Sequence, residues 1–144
     1  MSVTLSVTPP RLLAGSHRLW MPALLVAGVL QAAALAWPVG GQPVWWLQLL
    51  ALGVLCLALQ RTRSAKQAAW YGWLFATAWL AATFWWLFIS MHTYGGLPAP
   101  LAVLAVGVLA AFLGAYYALL MGLWRRFARE GWHAVALFTA CWTI

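Results

Sequence analysis

The chain has 144 residues, of which 66% are hydrophobic and only 6% are charged, and its mean hydropathy is +0.89. A soluble domain of this size cannot bury so large an apolar fraction, because small domains have a large surface relative to their volume. The net charge of +7 comes from eight basic residues and one acidic residue. The basic residues are divided among separate groups, which excludes a continuous nucleic-acid-binding patch.

Four long apolar runs without a charged residue follow one another along the chain. Each has roughly the 17–25 residues that cross a bilayer, and a charge at the centre of such a run costs about 2.5–3.5 kcal/mol. The apolar positions are continuous and do not alternate, so they predict helices and not the strands of a barrel. The predicted fold class is therefore an all-α, polytopic membrane bundle over residues 19–144, after a cytoplasmic tail over residues 1–18. The predicted spans are 19–37, 44–60, 68–91 and 101–124.

The first run also allows an alternative interpretation as a secretory signal. Arg11 and Arg18 precede it, and the small residues at positions 32–34 lie near its end. Its apolar core is longer than the roughly 7–15 residues of a signal, and another apolar run follows where a soluble domain would begin. These features favour a membrane helix.

The basic residues predict the orientation of the bundle, because Lys and Arg in short loops stay on the cytoplasmic side. Arg11 and Arg18 precede the first span, and the connections at 38–43 and 92–100 contain no Lys or Arg. The N-terminus is thus predicted to be cytoplasmic and the turn at 92–100 periplasmic. The remaining basic residues follow the second and fourth spans: Arg61, Arg63, Lys66, Arg125, Arg126 and Arg129.

Small residues form a regular row in the fourth run. Ala110, Gly114, Ala118 and Gly122 are four residues apart, and Gly107 lies on the adjoining stripe. Such rows let helix backbones approach closely in lipid. The row predicts tight packing against another span of the same chain, with homodimerisation as the alternative.

A fifth apolar run begins at residue 134 and reaches the last residue of the sequence. Its eleven residues would rise only about 16 Å as a helix, which is roughly half a bilayer. We expect it to be the start of a fifth span in a longer protein. A short interfacial or re-entrant helix is the alternative.

The third and fourth runs are joined by a Gly/Pro turn with a recognisable pattern. The pattern is Trp86-x-x-x-Ser90-x-x-x-Tyr94-Gly95-Gly96-Leu97-Pro98-x-Pro100. Placed between these two runs, it resembles the amino-terminal membrane portion of the apolipoprotein N-acyltransferase family. The basic loop before the third run and the small-residue-rich fourth run are similar to that family as well.

The resemblance implies an enzyme of the bacterial inner membrane that matures lipoproteins. Its substrates would be a phospholipid acyl donor and a lipoprotein acceptor with an N-terminal diacylglyceryl-cysteine, and the acyl group would pass through a thioester on a cysteine. The family's Cys, Glu and Lys catalytic set belongs to a periplasmic nitrilase-like carboxy-terminal domain, which these 144 residues are expected to lack. Neither Cys56 nor Cys141 matches the nucleophile, while Glu130 and Lys66 lie in loops predicted to be cytoplasmic. The chain alone is therefore predicted to be inactive.

The Gly/Pro turn and the aromatic residues before it are the candidate site. They are expected to shape a substrate entrance or to support the catalytic domain. No catalytic or cofactor-binding residue is predicted in these 144 residues. No metal site is predicted either, because His17, His92 and His133 are scattered over both sides of the membrane. A small non-enzymatic membrane protein, such as a transporter subunit or assembly factor, is the alternative function. The candidate residues are Trp86, Phe88, Ser90, His92, Tyr94, Gly95, Gly96, Pro98 and Pro100.

Overall fold

The computed structural model describes residues 16–35 and 40–127, together with the single positions 133, 136 and 139. Within these residues the chain is helical and has no strand, which confirms the all-α prediction. Most of the predicted tail at 1–18 and most of the predicted fifth segment at 134–144 lie outside the described residues. The helices are α1 (Ser16–Leu35), α2 (Trp45–Gln60), α3 (Ala65–Thr83), α4 (Trp85–Ile89), which continues as a π-helix (Ser90–Tyr94), and α5 (Ala99–Phe127).

Helix α3 is the centre of the bundle. It packs along α5 on one side and along α1 on the other, and α1 in turn packs against α2. The interior is filled by side chains from all four of these helices, which pack closely against one another. The large side chains buried in this core are Leu24, Leu55, Leu59, Tyr71, Phe75, Met121 and Trp124.

Short connections fix the ends of the helices. The backbone N–H of Val44 donates to the carbonyl of Ala34 at 2.8 Å, which ties the start of α2 to the end of α1. Between α2 and α3, Thr62 is buried and its hydroxyl donates to the carbonyl of Leu59 at 2.6 Å. These bonds satisfy terminal backbone groups that would otherwise lack partners.

Helix α5 is the clearest membrane-length element of the described residues. Its 29 residues are long and apolar enough to cross a bilayer, whereas α2 and the apolar part of α1 (Leu19–Leu35) are shorter. One face of α5 packs into the bundle, and the rest exposes large apolar side chains such as Leu104 and Phe112. The combination of a buried stripe and an exposed apolar surface is what a lipid-facing helix requires.

The segment of the predicted span at 68–91 does not form one straight helix, because the helix breaks at Phe84. Helix α3 and the segment Trp85–Tyr94 are together long and apolar enough to cross a bilayer, but they are bent by 49° relative to each other. The hydroxyl of Thr83 donates to the carbonyl of Trp79 at 2.9 Å, a back-bond that favours helix bending. Phe84 leaves the helical region with φ −84° and ψ 15°, and α4 starts in a new direction.

Candidate functional site

Three rings form a continuous stack along one face of α4 and the π-helix. The centroids of Trp85 and Phe88 are 4.9 Å apart, those of Phe88 and His92 are 5.6 Å apart, and both ring pairs lie within about 24° of parallel. The spacings of three and four residues place the rings on the same face. We call Trp85, Phe88 and His92 the aromatic ladder. It extends from the bend at Phe84 to the Gly/Pro turn.

The Gly/Pro turn closes the wide π-helix with two glycines. The N–H of Gly95 donates to the carbonyl of Ser90 at 3.1 Å, and the N–H of Leu97 donates to the carbonyl of Met91 at 3.1 Å. Gly96 has φ +67°, a left-handed conformation that costs other residues about 1–2 kcal/mol. A Cβ on Gly95 would lie 2.8 Å from the carbonyl oxygen of Met91. Both positions therefore require glycine, for different reasons.

His92 connects the aromatic ladder to the turn. Its Nδ1 atom lies 2.8 Å from the carbonyl oxygen of Leu97. A carbonyl oxygen only accepts, so Nδ1 carries the proton and donates. This hydrogen bond holds the ring against the turn.

The other candidate residues line the surface around the ladder. The side chains of Trp86 and Tyr94 are 62% and 85% exposed, so they project away from the bundle. The carbonyl of Pro98 accepts from the N–H groups of Leu101 and Ala102 at 3.0 and 3.1 Å and starts α5. Pro100 lies in the first turn of α5, where a missing N–H costs nothing.

The small-residue row of α5 lies mainly against α3. A Cβ on Gly114 would lie 2.5 Å from Thr77 Oγ1, and one on Gly122 would lie 3.3 Å from the Cβ of Ala69. Ala110 is fully buried and Ala118 is half-buried. Gly107 differs, because a Cβ there would meet nothing within 4 Å.

Other close contacts are not apparent from the sequence. Gly28 of α1 lies against the backbone of α3 so closely that a Cβ would collide with the carbonyl oxygen of Phe75. Gly72 of α3 lies against Met121 and the backbone of Tyr117. Neither glycine belongs to a regular row, so spacing gives no signal for them. The sequence pattern also does not indicate Trp85 as a site residue, although its ring stacks on that of Phe88.

The geometry of the aromatic ladder suits an apolar binding or packing role. Among residues 16–35 and 40–127, no group of three His, Cys, Asp or Glu side chains is placed to hold a metal ion. The aromatic ladder presents ring faces and edges, which suit contacts with hydrocarbon and with its polar boundary. The fold and this site define a helical bundle of membrane type with an exposed aromatic margin at one end.

Comparison with known proteins identifies the family. Residues 27–144 match the family model described as the apolipoprotein N-acyltransferase N-terminal domain. The chain belongs to the apolipoprotein N-acyltransferase family, as the sequence resemblance predicts.

Relatives from several bacteria agree with this family. A protein of Verminephrobacter eiseniae named apolipoprotein N-acyltransferase is 57% identical over 132 residues, covering 86% of this chain and 24% of the relative. Proteins of the same name from Ralstonia nicotianae and Bordetella bronchiseptica are 38% and 34% identical, covering 69% and 90% of this chain. They are matched over 20% and 26% of their own length. The chain thus spans about a quarter of the length of the curated relatives that it matches.

Proposed function

We propose that this chain is the membrane-embedded amino-terminal part of an enzyme that transfers an acyl chain from a phospholipid to the N-terminal diacylglyceryl-cysteine of lipoproteins. The observation that carries the proposal is the match of residues 27–144 to the N-terminal domain of this family. The enzyme would reside in the bacterial inner membrane. Its thioester step is assigned to a nitrilase-like domain of the longer protein, and the 144 residues alone would be inactive.

The membrane arrangement proposed is four spans, the start of a fifth and a cytoplasmic N-terminus. Support comes from the ends of the bundle. Gly122 faces Ala65 and Ala69, so the last turn of α5, with Arg125 and Arg126, lies beside the loop before α3. The basic residues of the described chain therefore collect at one end, and the Gly/Pro turn lies at the other. This separation matches the rule that basic loops stay cytoplasmic.

The aromatic ladder and the Gly/Pro turn are proposed to form the entrance for the acyl chain and the support for the catalytic domain. The rings of Trp86 and Tyr94 are exposed, which supports a position where hydrocarbon meets the polar boundary of the membrane, the usual place of such rings. The hydrogen bond from His92 and the left-handed Gly96 hold this margin in one shape. A fixed margin costs less ordering entropy when a substrate binds.

The test is a chimera of the Verminephrobacter eiseniae relative in which residues 27–144 of this chain replace the aligned segment. We expect the purified chimera to transfer an acyl chain from phosphatidylethanolamine to a synthetic diacylglyceryl-cysteine peptide, detected by the mass of the peptide. A folded, membrane-inserted chimera that transfers nothing would overturn the proposal. So would a native product whose intact mass is only 15.8 kDa and which has no partner in acyl transfer.

The role of the Gly/Pro turn is tested in the same chimera with a matched pair of variants. Gly96→Val places a branched residue at φ +67°, and Gly41→Val does the same at φ +68° in the turn between α1 and α2. Both impose similar backbone strain, and neither Cβ meets an atom within 4 Å. We expect Gly96→Val to reduce acyl transfer much more than Gly41→Val. Equal activities would remove the support role from the turn.

A further inference from the structure

A groove runs between the first half of α3 and α5, at the end of the bundle opposite the aromatic ladder. Its volume is about 710 Å³, which lies within the usual range of roughly 300–1,000 Å³ for ligand sites. The stacked rings of Trp70 and Trp73, with centroids 5.0 Å apart, form one wall, and Ala118 lies on the α5 side. The indole N–H of Trp73 donates to the carbonyl of Ala111 at 3.0 Å, which fixes this ring. The groove is therefore a built feature with apolar walls.

Lys66 lies at the polar mouth of the groove, among other basic residues. The loop before α3 carries Arg63, and the last turn of α5 beside it carries Arg125 and Arg126. The single acidic residue of the whole chain is Glu130, which lies outside the described residues, against eight Lys and Arg. One carboxylate cannot neutralise this end of the bundle. This excess of positive charge would attract an anionic group at the membrane surface.

The mouth is held in place by hydrogen bonds within the chain. Ser64 Oγ accepts from the N–H of Gln67 at 3.2 Å, and Gln67 Oε1 accepts from the N–H of Arg63 at 3.0 Å. The amide nitrogen of Gln67 donates to the hydroxyl of Tyr71 at 3.1 Å. These contacts cap the start of α3, and they use the hydrogen-bonding groups of Ser64 and Gln67. Attraction for an anion at this mouth comes from the exposed ammonium of Lys66 and not from an uncapped helix end.

We propose that the α3/α5 groove binds one anionic phospholipid of the adjacent membrane leaflet. The phosphate lies at Lys66, and an acyl chain lies over Trp70, Trp73 and Ala118. The charge of the mouth and the apolar walls complement the two parts of such a lipid, and basic residues at a membrane surface attract anionic headgroups. The inference rests on the membrane embedding proposed above and goes beyond it. This lipid is distinct from the acyl donor, whose proposed entrance lies at the other end.

The test measures lipid association with the native membrane product that contains this chain, reconstituted in phosphatidylcholine vesicles. Spin-labelled phosphatidylglycerol and spin-labelled phosphatidylcholine are added in trace amounts, and electron spin resonance gives the fraction of each that the protein immobilises. We expect phosphatidylglycerol to be preferred. Lys66→Gln should lower that preference about fivefold, the factor expected for one basic charge near an anionic surface.

Two matched controls separate a site from general attraction. Arg61→Gln removes the same charge, but the guanidinium of Arg61 lies over the ring of Trp20, 5.5 Å from its centroid, on the α1 side of the bundle. Ala118→Phe fills the groove without changing charge, whereas Leu119→Phe changes a residue that is 68% exposed on the outer side of α5. We expect Lys66→Gln and Ala118→Phe to lower the preference for phosphatidylglycerol and the two controls to keep it.

Other outcomes overturn the inference in distinguishable ways. Equal effects of Lys66→Gln and Arg61→Gln would mean diffuse attraction with no site. Equal immobilisation of both lipids by the unmodified protein would mean no anionic preference at all. If neither lipid is immobilised, the membrane embedding itself fails. Absence of acyl transfer in the chimera, together with a retained lipid preference, would overturn only the proposed enzyme function.

Discussion

The imidazole of His92 and the carbonyl oxygen of Leu97 are joined by a hydrogen bond of 2.8 Å that links the π-helix to the chain entering α5. The bond spans five residues and encloses both glycines of the turn. Because the carbonyl oxygen only accepts, Nδ1 carries a proton and donates. The turn is thus closed by a side chain as well as by its backbone.

The first prediction separates the two contacts of His92. His92→Phe keeps a ring for Phe88 and removes the hydrogen bond, whereas His92→Ala removes both. We expect His92→Phe to lower the free energy of unfolding by about 1 kcal/mol. His92→Ala should lower it by a further 0.5–1.5 kcal/mol or so, because the ring stack is also lost. Thermal unfolding in detergent micelles, followed by circular dichroism, measures both. Unchanged stability of His92→Phe would contradict the role of the hydrogen bond.

The second prediction concerns the contact between α3 and α5. Gly114→Ala would place a methyl group 2.5 Å from Thr77 Oγ1, so we expect a loss of about 1–3 kcal/mol in stability. Gly107→Ala is the control, since its methyl group meets nothing within 4 Å. Alanine favours a helix over glycine, so Gly107→Ala should be neutral or stabilising by up to about 1 kcal/mol.

A double variant checks the cause of that loss. Thr77→Ala removes the oxygen that the new methyl group meets, and Thr77 Oγ1 is a buried atom without a hydrogen-bond partner. We expect Thr77→Ala to restore part of the stability of Gly114→Ala. If Gly114→Ala and Gly107→Ala have the same stability, close packing at Gly114 is contradicted.

The third prediction concerns Gly28 in the interface between α1 and α3. Gly28→Ala would collide with the carbonyl oxygen of Phe75 and lie 2.9 Å from the Cβ of Ala78. A backbone atom cannot move aside as a side chain does, so we expect a larger loss than at Gly114. Gly53→Ala in α2, with open space around its Cβ, is the control and should be tolerated. Unfolding in increasing dodecyl sulfate compares the two, and equal midpoints would argue against the close approach.

The fourth prediction concerns topology. In a background with Cys56→Ala and Cys141→Ala, single cysteines replace Tyr94 in the Gly/Pro turn or Arg63 before α3. Both native side chains are exposed, so both cysteines should be reachable from their own side of the membrane. We expect a membrane-impermeant maleimide to label Tyr94→Cys in intact spheroplasts.

Arg63→Cys should react only after the membrane is opened. The reverse pattern would place the basic end outside and contradict the proposed orientation. Labelling of both cysteines in intact spheroplasts would contradict the membrane separation of the two ends.

Composition and spacing predict the helical class, and the pattern at 86–100 predicts the family. Both predictions depend on residues that are close in sequence. Charge-free apolar runs of this length favour membrane helices, and Gly/Pro pairs favour turns. The bend at Phe84 is different, because apolar residues continue through it without a gap. It accompanies the bond from the Thr83 hydroxyl to Trp79, which neither length nor hydropathy indicates.

The row of small residues in α5 predicts a face for close packing, but the spacing does not indicate which helix packs against it. At Gly114 and Gly122 that partner is α3. Gly28 shows the limit of the same reasoning, because an isolated glycine in an apolar run has no spacing to interpret. Its contact with Phe75 exists only once α1 and α3 are side by side. The aromatic ladder likewise depends on the direction of α4 after the bend, because Trp85 is the first residue of that helix.

The bend at Phe84 also sets how the bundle meets bilayers of different thickness. Helix α3 has 19 residues, which rise about 28 Å, close to the roughly 30 Å of a hydrocarbon core. Under the proposed membrane embedding, the segment after the bend has no need to cross hydrocarbon, and its 49° bend would direct it away from the axis of α3. In a thinner or thicker membrane, the angle at Phe84 is the natural place for adjustment, while α1, α3 and α5 keep their mutual packing. A mismatch with the surrounding lipid would thus move the aromatic margin first.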